Sequence, residues 1–244
     1  MLFFDQNWNF IGQREEDDIA LRISEVTKIQ LYDLNSFSQF RPSVAKKFSW
    51  ASRRHATRPE DLAYSLLGLF DVQMPLLYGE GGTKAFMRLQ LEIIRKTDDK
   101  SIFAWDWPRS EQMYAYNWRG LLAPNAVPFE GRGDVIFNEE NYDNKFPYEM
   151  TNQGLSFRSN AELVQSEGPE KFILDLDCTI LGTSIPRTRQ QCYIVLERSA
   201  PNSRIFRRRH FASLEVGRSL DDKYPKERRK DAGTMHFFVR QAGL

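Results

Sequence analysis

Apolar residues in the first hundred positions recur mostly at helical spacing, and those beyond recur at the shorter rhythm of strands. Leu2-Phe3-Phe4, the turn-forming Asp5-Gln6-Asn7 and then Trp8 to Gly12 predict a strand or a tight hairpin. Ile19, Ile23, Val26 and Ile29 mark one face of a helix over Arg14–Ile29. Val44, Phe48 and Ala51 mark a shorter helix over Ser43–Arg54. Leu62, Ala63, Leu66, Leu67 and Phe70 form a broad stripe, with Thr57 as a cap and Pro59 and Glu60 in the first turn. This spacing predicts a helix over 57–71, and Pro75 bars its continuation. After the glycine-rich turn at Gly79–Gly82, the residues Ala85, Phe86, Leu89, Ile93 and Ile94 predict a helix over 84–97.

Past Asp98-Asp99 the helical spacing disappears. Ser101–Trp105, Leu155–Arg158, Phe172–Thr179, Cys192–Arg198, Arg204–Arg209 and Met235–Val239 have strand composition, with turn residues such as Asn152-Gln153-Gly154 and Pro201-Asn202-Ser203 between them. The expected class is α+β: a hairpin and helical subdomain over 1–100, then an antiparallel β-rich domain over 101–244, as a sandwich or a barrel. Trp50, Leu66, Leu67, Phe70, Tyr78, Phe86 and Trp105 are the expected apolar anchors.

Composition narrows this reading. With 244 residues, 41% of them hydrophobic, the chain can form a substantial core. No run approaches the roughly 18 apolar residues of a membrane span, and the opening residues lack the pattern of a secretory leader. Two cysteines, Cys178 and Cys192, make no disulfide framework, so the expected setting is a reducing cytoplasm. A net charge of +1 excludes a general polyelectrolyte role. Locally, Arg198–Lys230 carries eleven Lys/Arg against four Asp/Glu, an excess of +7, while Glu130–Glu149 and Glu162–Asp177 run acidic.

Few residues suggest chemistry. His55, His210 and His236 are scattered, with no metal-ligand spacing, so no metal is expected. Cys178 lies in an apolar strand pattern, where burial as a small hydrophobe is the expected role. Tyr78-Gly79-Glu80-Gly81-Gly82-Thr83-Lys84 lacks the order and spacing of a phosphate loop. Gly79, Gly81, Gly82 and Thr83 are still the weak candidates for holding an anion, because helix-start amides point there; the bland alternative is a turn between packed helices. Arg53, Arg54 and Arg58 precede a helix start bearing Glu60 and Asp61, consistent with dipole complementation or a docking loop. In a strand, Arg207-Arg208-Arg209-His210 would divide between two faces and could pair with the acidic stretches, so nucleic-acid binding is not expected.

Several ordered blocks resemble fungal heterokaryon-incompatibility (HET) domains. They are Leu2-Phe-Phe-Asp with Trp8-Asn-Phe-Ile-Gly, Phe48-Ser-Trp-Ala-Ser-Arg-Arg, Thr57-Arg-Pro-Glu-Asp-Leu-Ala-Tyr-Ser-Leu-Leu-Gly-Leu-Phe-Asp-Val, Met74-Pro-Leu-Leu-Tyr-Gly-Glu-Gly, Ala85-Phe-x-Arg-Leu-Gln-x-Glu-Ile and Asp98-Asp-x-Ser-Ile-Phe-Ala-Trp. Residues 106–244, including Thr151-Asn-Gln-Gly-Leu-Ser-Phe, more loosely resemble the β-rich domain of unknown function that often follows. The resemblance implies an upstream α/β core like that of Toll/interleukin-1 receptor domains, whose glutamate corresponds to the catalytic acid of NAD-cleaving relatives. That segment has no counterpart here, so no catalytic residue carries over. The expectation is a truncated or accessory, non-catalytic scaffold without a cofactor, of the kind acting in fungal allorecognition and programmed cell death.

Its expected partner is a protein or the HET core itself; a small-molecule ligand is left undefined. An exposed apolar patch centred on Leu2–Phe4 should mark where that partner docks. Two alternatives stay open. One is a nucleotide-acting enzyme, such as an NAD-cleaving one, with Glu80 in a pocket beside Arg53, Arg54 or Arg58. The other is an anion-binding β module using the basic 204–230 segment.

Overall fold

The computed structural model describes residues 1–13, 16–36, 41–107, 120–138, 148–165, 168–181, 189–208, 215–216, 221 and 224–241. They belong to two compact units, Met1–Pro42 and Ser43–Leu244.

In the first unit, β1 (Leu2–Phe4) pairs antiparallel with β2 (Phe10–Gln13). Asp5 builds the turn, its Oδ1 accepting the Asn7 and Asn9 amides at 2.8 Å, so the expected hairpin forms. Helix α1 (Asp17–Thr27) and the unanticipated short helix α2 (Leu31–Ser36) complete the unit. The hairpin approaches α1 closely at Gly12, where a Cβ would sit 2.8 Å from Ile19. Among the described residues of this unit, Ala20 is the one buried hydrophobic side chain.

The second unit starts with α3 (Val44–Ser49), α4 (Asp61–Tyr64), α5 (Leu67–Phe70) and α6 (Gly82–Lys96). The single helix expected over 57–71 is two helices. Its N-cap is Glu60, not Thr57, and the bonds tighten to i→i−3 at the break: Leu66 N–H donates to Ala63, and the Ser65 hydroxyl to Leu62. Around Phe48, the rings of Phe70, Phe86 and Phe129 lie at 4.6, 4.9 and 4.7 Å, which makes one aromatic nucleus.

Ser101–Trp105 is not a strand. Lys100–Phe103 is a 3-10 turn, capped by the Asp99 carboxylate on the Ser101 amide at 2.8 Å. The strands follow as β3 (Val135–Phe137), β4 (Glu149–Thr151), β5 (Gly154–Val164), β6 (Lys171–Leu181), β7 (Arg189–Arg198), β8 (Ile205–Arg208), β9 (Glu215–Val216) and β10 (Arg229–Val239). Of the expected strand over 204–209, Arg209 lies outside the described residues, as does His210.

The pairings close a ring of five strands. β5 pairs with β6 and β10, β6 with β7, and β7 with β8, all antiparallel; β8 meets β10 in parallel, at Phe238↔Ile205 and Val239↔Phe206. The sheet is therefore mixed rather than purely antiparallel. Irregular register between Asp175 and Thr179, and between Asp231 and Thr234, bends β6 and β10; Asp177 and Gly233 there have φ of 51° and 65°. Alternation sends Phe172, Leu174, Leu176 and Cys178 inward to meet Phe157, Phe206 and Phe237. Ile173 and Val195 face the other way, into a smaller cluster with Val164 and Tyr224. The expected boundary near residue 100 falls within this unit, where one buried cluster runs from Val44 to Val239.

Candidate functional site

The motif blocks meet around polar side chains that bond to one another. The Glu60 carboxylate accepts the Gly79 and Gly81 amides, each at 3.0 Å on Oε1. Those glycines have φ of 94° and 85°, which a side chain rarely tolerates. Gly82 lies against the backbone of Pro59, 2.9 Å from any Cβ it might carry. An internal carboxylate thus takes the Gly79 and Gly81 amides of the turn nominated for an anion; its own backbone amide first, then those of Gly81 and Gly79, hold it below the usual carboxylate range. Gly82 and Thr83 enter α6, Thr83 at the surface.

Next to this turn, Glu80 pairs with Arg88 and accepts the Tyr64 hydroxyl at 2.9 Å; the same hydroxyl accepts the Leu77 amide at 2.8 Å. Arg53 reaches Glu130 at 2.7 Å, and Arg58 lies over the Tyr78 ring at 4.6 Å. Glu80 therefore has Arg88 as its ion-pair partner, a residue the sequence reading did not nominate; Arg53 is spent elsewhere. Tyr78, expected as a buried anchor, is 52% exposed, with its hydroxyl donating to Asp61 at 3.0 Å. Trp50, Leu66, Phe70, Phe86 and Trp105 are buried as expected, and Leu67 packs at the margin of the core.

A second cluster ties α3 to the turn after α6. Val44 donates to Asp99 Oδ2 at 2.8 Å, Ala45 to the Ser101 hydroxyl at 3.0 Å, and Lys46 to the Ser43 hydroxyl at 3.2 Å. The first amides of α3 are thereby satisfied. Burial pushes the Asp99 carboxyl above its ordinary range despite those bonds. Gln90 exchanges two hydrogen bonds with Ala123, at 2.8 and 2.9 Å, and the Trp105 indole donates to Leu121 at 2.7 Å. None of these partners was matched in the sequence, because they lie between 3 and 56 positions apart with no shared pattern.

Within the basic run, Arg207 and Arg208 fall on opposite faces of β8, as strand alternation requires. Arg208 points inward, fully buried, and donates to the Phe103 and Trp105 carbonyls at 3.0 and 2.5 Å. Its guanidinium stacks over Trp105 at 3.9 Å, and burial lowers its pKa to about 10. Arg207 pairs with Glu197, Arg198 with Glu170, and Arg229 with both Glu162 and Asp221. A cleft of about 400 Å³ opens between the turns at Gly168–Glu170 and Ser199–Asn202, but Arg198, the one cation among its described lining residues, is taken up by Glu170, the Ser203 carbonyl and the rings of Phe172 and Phe206.

Cys178 and Cys192 are both buried and free; burial raises the Cys178 thiol well above its usual value and the Cys192 thiol to about 12. His236 lies 2.7 Å from the Ser156 hydroxyl and packs at a tilt against the Phe238 ring. No group of three or more potential metal ligands occurs among the described residues, and no helix among them is long and apolar enough to cross a membrane.

The hairpin carries an exposed apolar face. Leu2, Phe4, Trp8, Phe10 and Ile11 are all exposed, Trp8 by 83%. Phe4 packs on Trp8 and Phe10 at centroid distances of 6.1 and 5.8 Å, so the rings form one patch. The apolar surface expected near Leu2–Phe4 is present, extended by Trp8 and Phe10.

Comparison with known proteins gives two matches. Residues 84–118, which include most of α6 and the 3-10 turn, match a domain of unknown function, DUF8212. Over 91 residues, 37% of this chain, the sequence is 42% identical to the vegetative incompatibility protein HET-E-1 of Podospora anserina, of which that stretch is 7%. No solved structure matches. Over rather more than a third of its length, the chain is a partial homologue of a heterokaryon-incompatibility protein.

Proposed function

We propose that this chain is a non-catalytic scaffold of a HET-type protein, acting in the cytoplasm in fungal non-self recognition and the cell death it triggers. The supporting observation is what happens to the charged side chains of the motif blocks. Glu60 is bonded to two backbone amides, Glu80 to Arg88 and Tyr64, and Asp99 to the start of α3. Carboxylates engaged in this way position backbone, and they are poorly suited to transferring protons to a substrate. The partial homology to an incompatibility protein supports the biological setting.

The docking face in this reading is the aromatic hairpin. A unit of 42 residues with one buried hydrophobic side chain among those described cannot hold its own fold by burial. Its partner is a HET-type α/β core, on the same polypeptide or another, whose sheet covers Phe4, Trp8 and Phe10. The test is binding of the purified chain to an α/β core produced from a HET-domain relative. Binding is expected, with loss on Trp8→Asp or Phe10→Asp. Failure to bind, or NAD turnover by the chain alone that Glu80→Gln abolishes, would overturn the proposal.

A further inference from the structure

Two hairpin turns stand side by side at one end of the barrel, because the strands they leave and enter, β6 and β7, pair there at Lys171↔Glu197. One turn joins β5 to β6 and the other β7 to β8, and the Arg198 amide ties them by donating to the Glu170 carbonyl at 2.9 Å. The Ser199 and Ser203 amides bond the Ile205 and Ala200 carbonyls, each at 3.0 Å, so the backbone of the second turn is set in place. The cleft of about 400 Å³ between the turns has the size of a small-ligand site, and barrel mouths commonly hold such sites. Pro169, Ala200 and Pro201 give it apolar walls.

Arg198 lines this cleft with its guanidinium laid over the Phe172 and Phe206 rings, at 5.3 and 5.0 Å. As a charge it is matched by Glu170; as a hydrogen-bond donor it is not exhausted. Its Nε donates to Glu170 Oε2 and its Nη1 to the Ser203 carbonyl. Its Nη2 has no hydrogen-bond partner among the described residues and is not sealed from solvent. Nε and Nη2 share one edge of the guanidinium, which a carboxylate can grip with both oxygens. Glu170 grips it with one, and its Oε1 likewise has no partner among the described residues. The pair thus leaves one donor and one acceptor open beside each other.

A charged ligand gains little at such a place, since attraction to one partner is offset by repulsion from the other. A neutral group with a C=O for Nη2 and an N–H for Oε1 satisfies both. An ordinary trans peptide bond points these two groups to opposite sides and cannot make both bonds at once. A primary carboxamide or a ring lactam carries them on the same side.

We infer that the cleft binds a small neutral ligand through a carboxamide or lactam edge held by Arg198 and Glu170, with an apolar body against Pro169, Ala200 and Pro201. The site uses none of the hairpin residues and does not rest on the scaffold reading.

The test uses the full chain and three probes of one shape, benzamide, benzoate and benzamidine, followed by saturation-transfer NMR. Benzamide presents a donor and an acceptor, benzoate acceptors alone and benzamidine donors alone. Benzamide should bind at about 1–10 mM, as expected of so small a ligand, and about tenfold more tightly than either charged probe. Glu170→Ala removes the acceptor and releases the arginine, so benzamide should weaken about tenfold and benzoate should become the tightest of the three. Arg198→Lys should also weaken benzamide. Because Arg198 packs on two rings, a circular dichroism melt checks that variant; the Glu170 side chain is 52% exposed, and its variant carries the test alone if the other does not fold. No benzamide binding in that range, a charged probe that matches benzamide, or a Glu170→Ala chain that keeps the parent's order of affinities would each overturn the inference.

Discussion

Arg208 tests how the barrel is joined to the segment that precedes it. It is a fully buried cation, and the acceptors it bonds are two backbone carbonyls, of Phe103 and Trp105, with the Trp105 ring beneath it. Removing the guanidinium strands both carbonyls in a water-poor site, at about 1–3 kcal/mol each. Loss of the desolvated cation–π contact adds about 2 kcal/mol. Against this stands relief from holding a charge out of water, which returns several kcal/mol. The lowered pKa, about 10, reflects the same burial cost. The balance for Arg208→Ala, including the cavity it leaves, is a loss of roughly 2–4 kcal/mol.

Arg208→Lys discriminates the cause. An ammonium keeps the charge but cannot span two carbonyls while lying flat on an indole. Lysine should therefore be nearly as damaging as alanine, by about 2–3 kcal/mol, and a melting shift of about 2–4 °C per kcal/mol is expected for a unit of this size. Urea and thermal unfolding followed by tryptophan fluorescence measure both. If Arg208→Lys matches the parent while Arg208→Ala falls, charge alone matters and the bridging argument is wrong. If neither moves, the latch contributes nothing.

Three further outcomes follow from the same geometry. Because burial raises the Asp99 carboxyl, the native state holds that proton more tightly than the unfolded chain; stability from this group is present at low pH and lost as pH rises from the ordinary value of 3.8 through the raised one. Asp99→Asn should flatten that part of the denaturation-midpoint profile, and an unchanged profile counts against the burial argument. Gly154 sits at φ 123°, with any Cβ 2.4 Å from the Val239 carbonyl, so Gly154→Ala should cost about 2–4 kcal/mol in urea titration. Cys178 and Cys192 should resist a thiol reagent at pH 8 in the native chain and react fully in guanidinium; rapid native labelling would contradict their burial.

What was legible in the sequence was whatever one element decides for itself. The α6 stripe and the hairpin turn at Asp5 follow from local spacing, and the strand over Phe172–Thr179 from its composition; each appears in the fold. Ring closure is different in kind. It depends on β8 meeting β10 in parallel across twenty intervening residues, and nothing in either strand announces that partner. Tyr78 failed as an anchor for a related reason: an aromatic residue within an apolar run suggests burial, but its hydroxyl is drawn to Asp61 and its ring to Arg58 at the surface. The break at Ser65 in the expected helix was likewise invisible, since Leu62 to Phe70 keeps the apolar spacing of one continuous helix.

The polar residues of the motif blocks give the stronger lesson, because spacing singled out Glu80 and the turn at Gly79–Thr83 for chemistry, whereas the geometry ties both into the fold through residues of neighbouring blocks. Glu60, in the Thr57 block, fixes two glycines of the Met74 block; Arg88, in the Ala85 block, fixes Glu80 and Pro75 of that same block. Asp99 and Ser101, in the last block, start the helix that leads into the Phe48 block. Each block thus supplies what a neighbouring block's backbone lacks, so changing one residue leaves an unmet donor in another. A carboxylate held below its normal range by amide bonds, as Glu60 is, stays ionised near neutrality and has no proton to give. Acids alternating with glycine beside a helix start look the same in sequence whether they bind a ligand or the chain itself, and here the acceptor for Gly79 and Gly81 comes from within the chain.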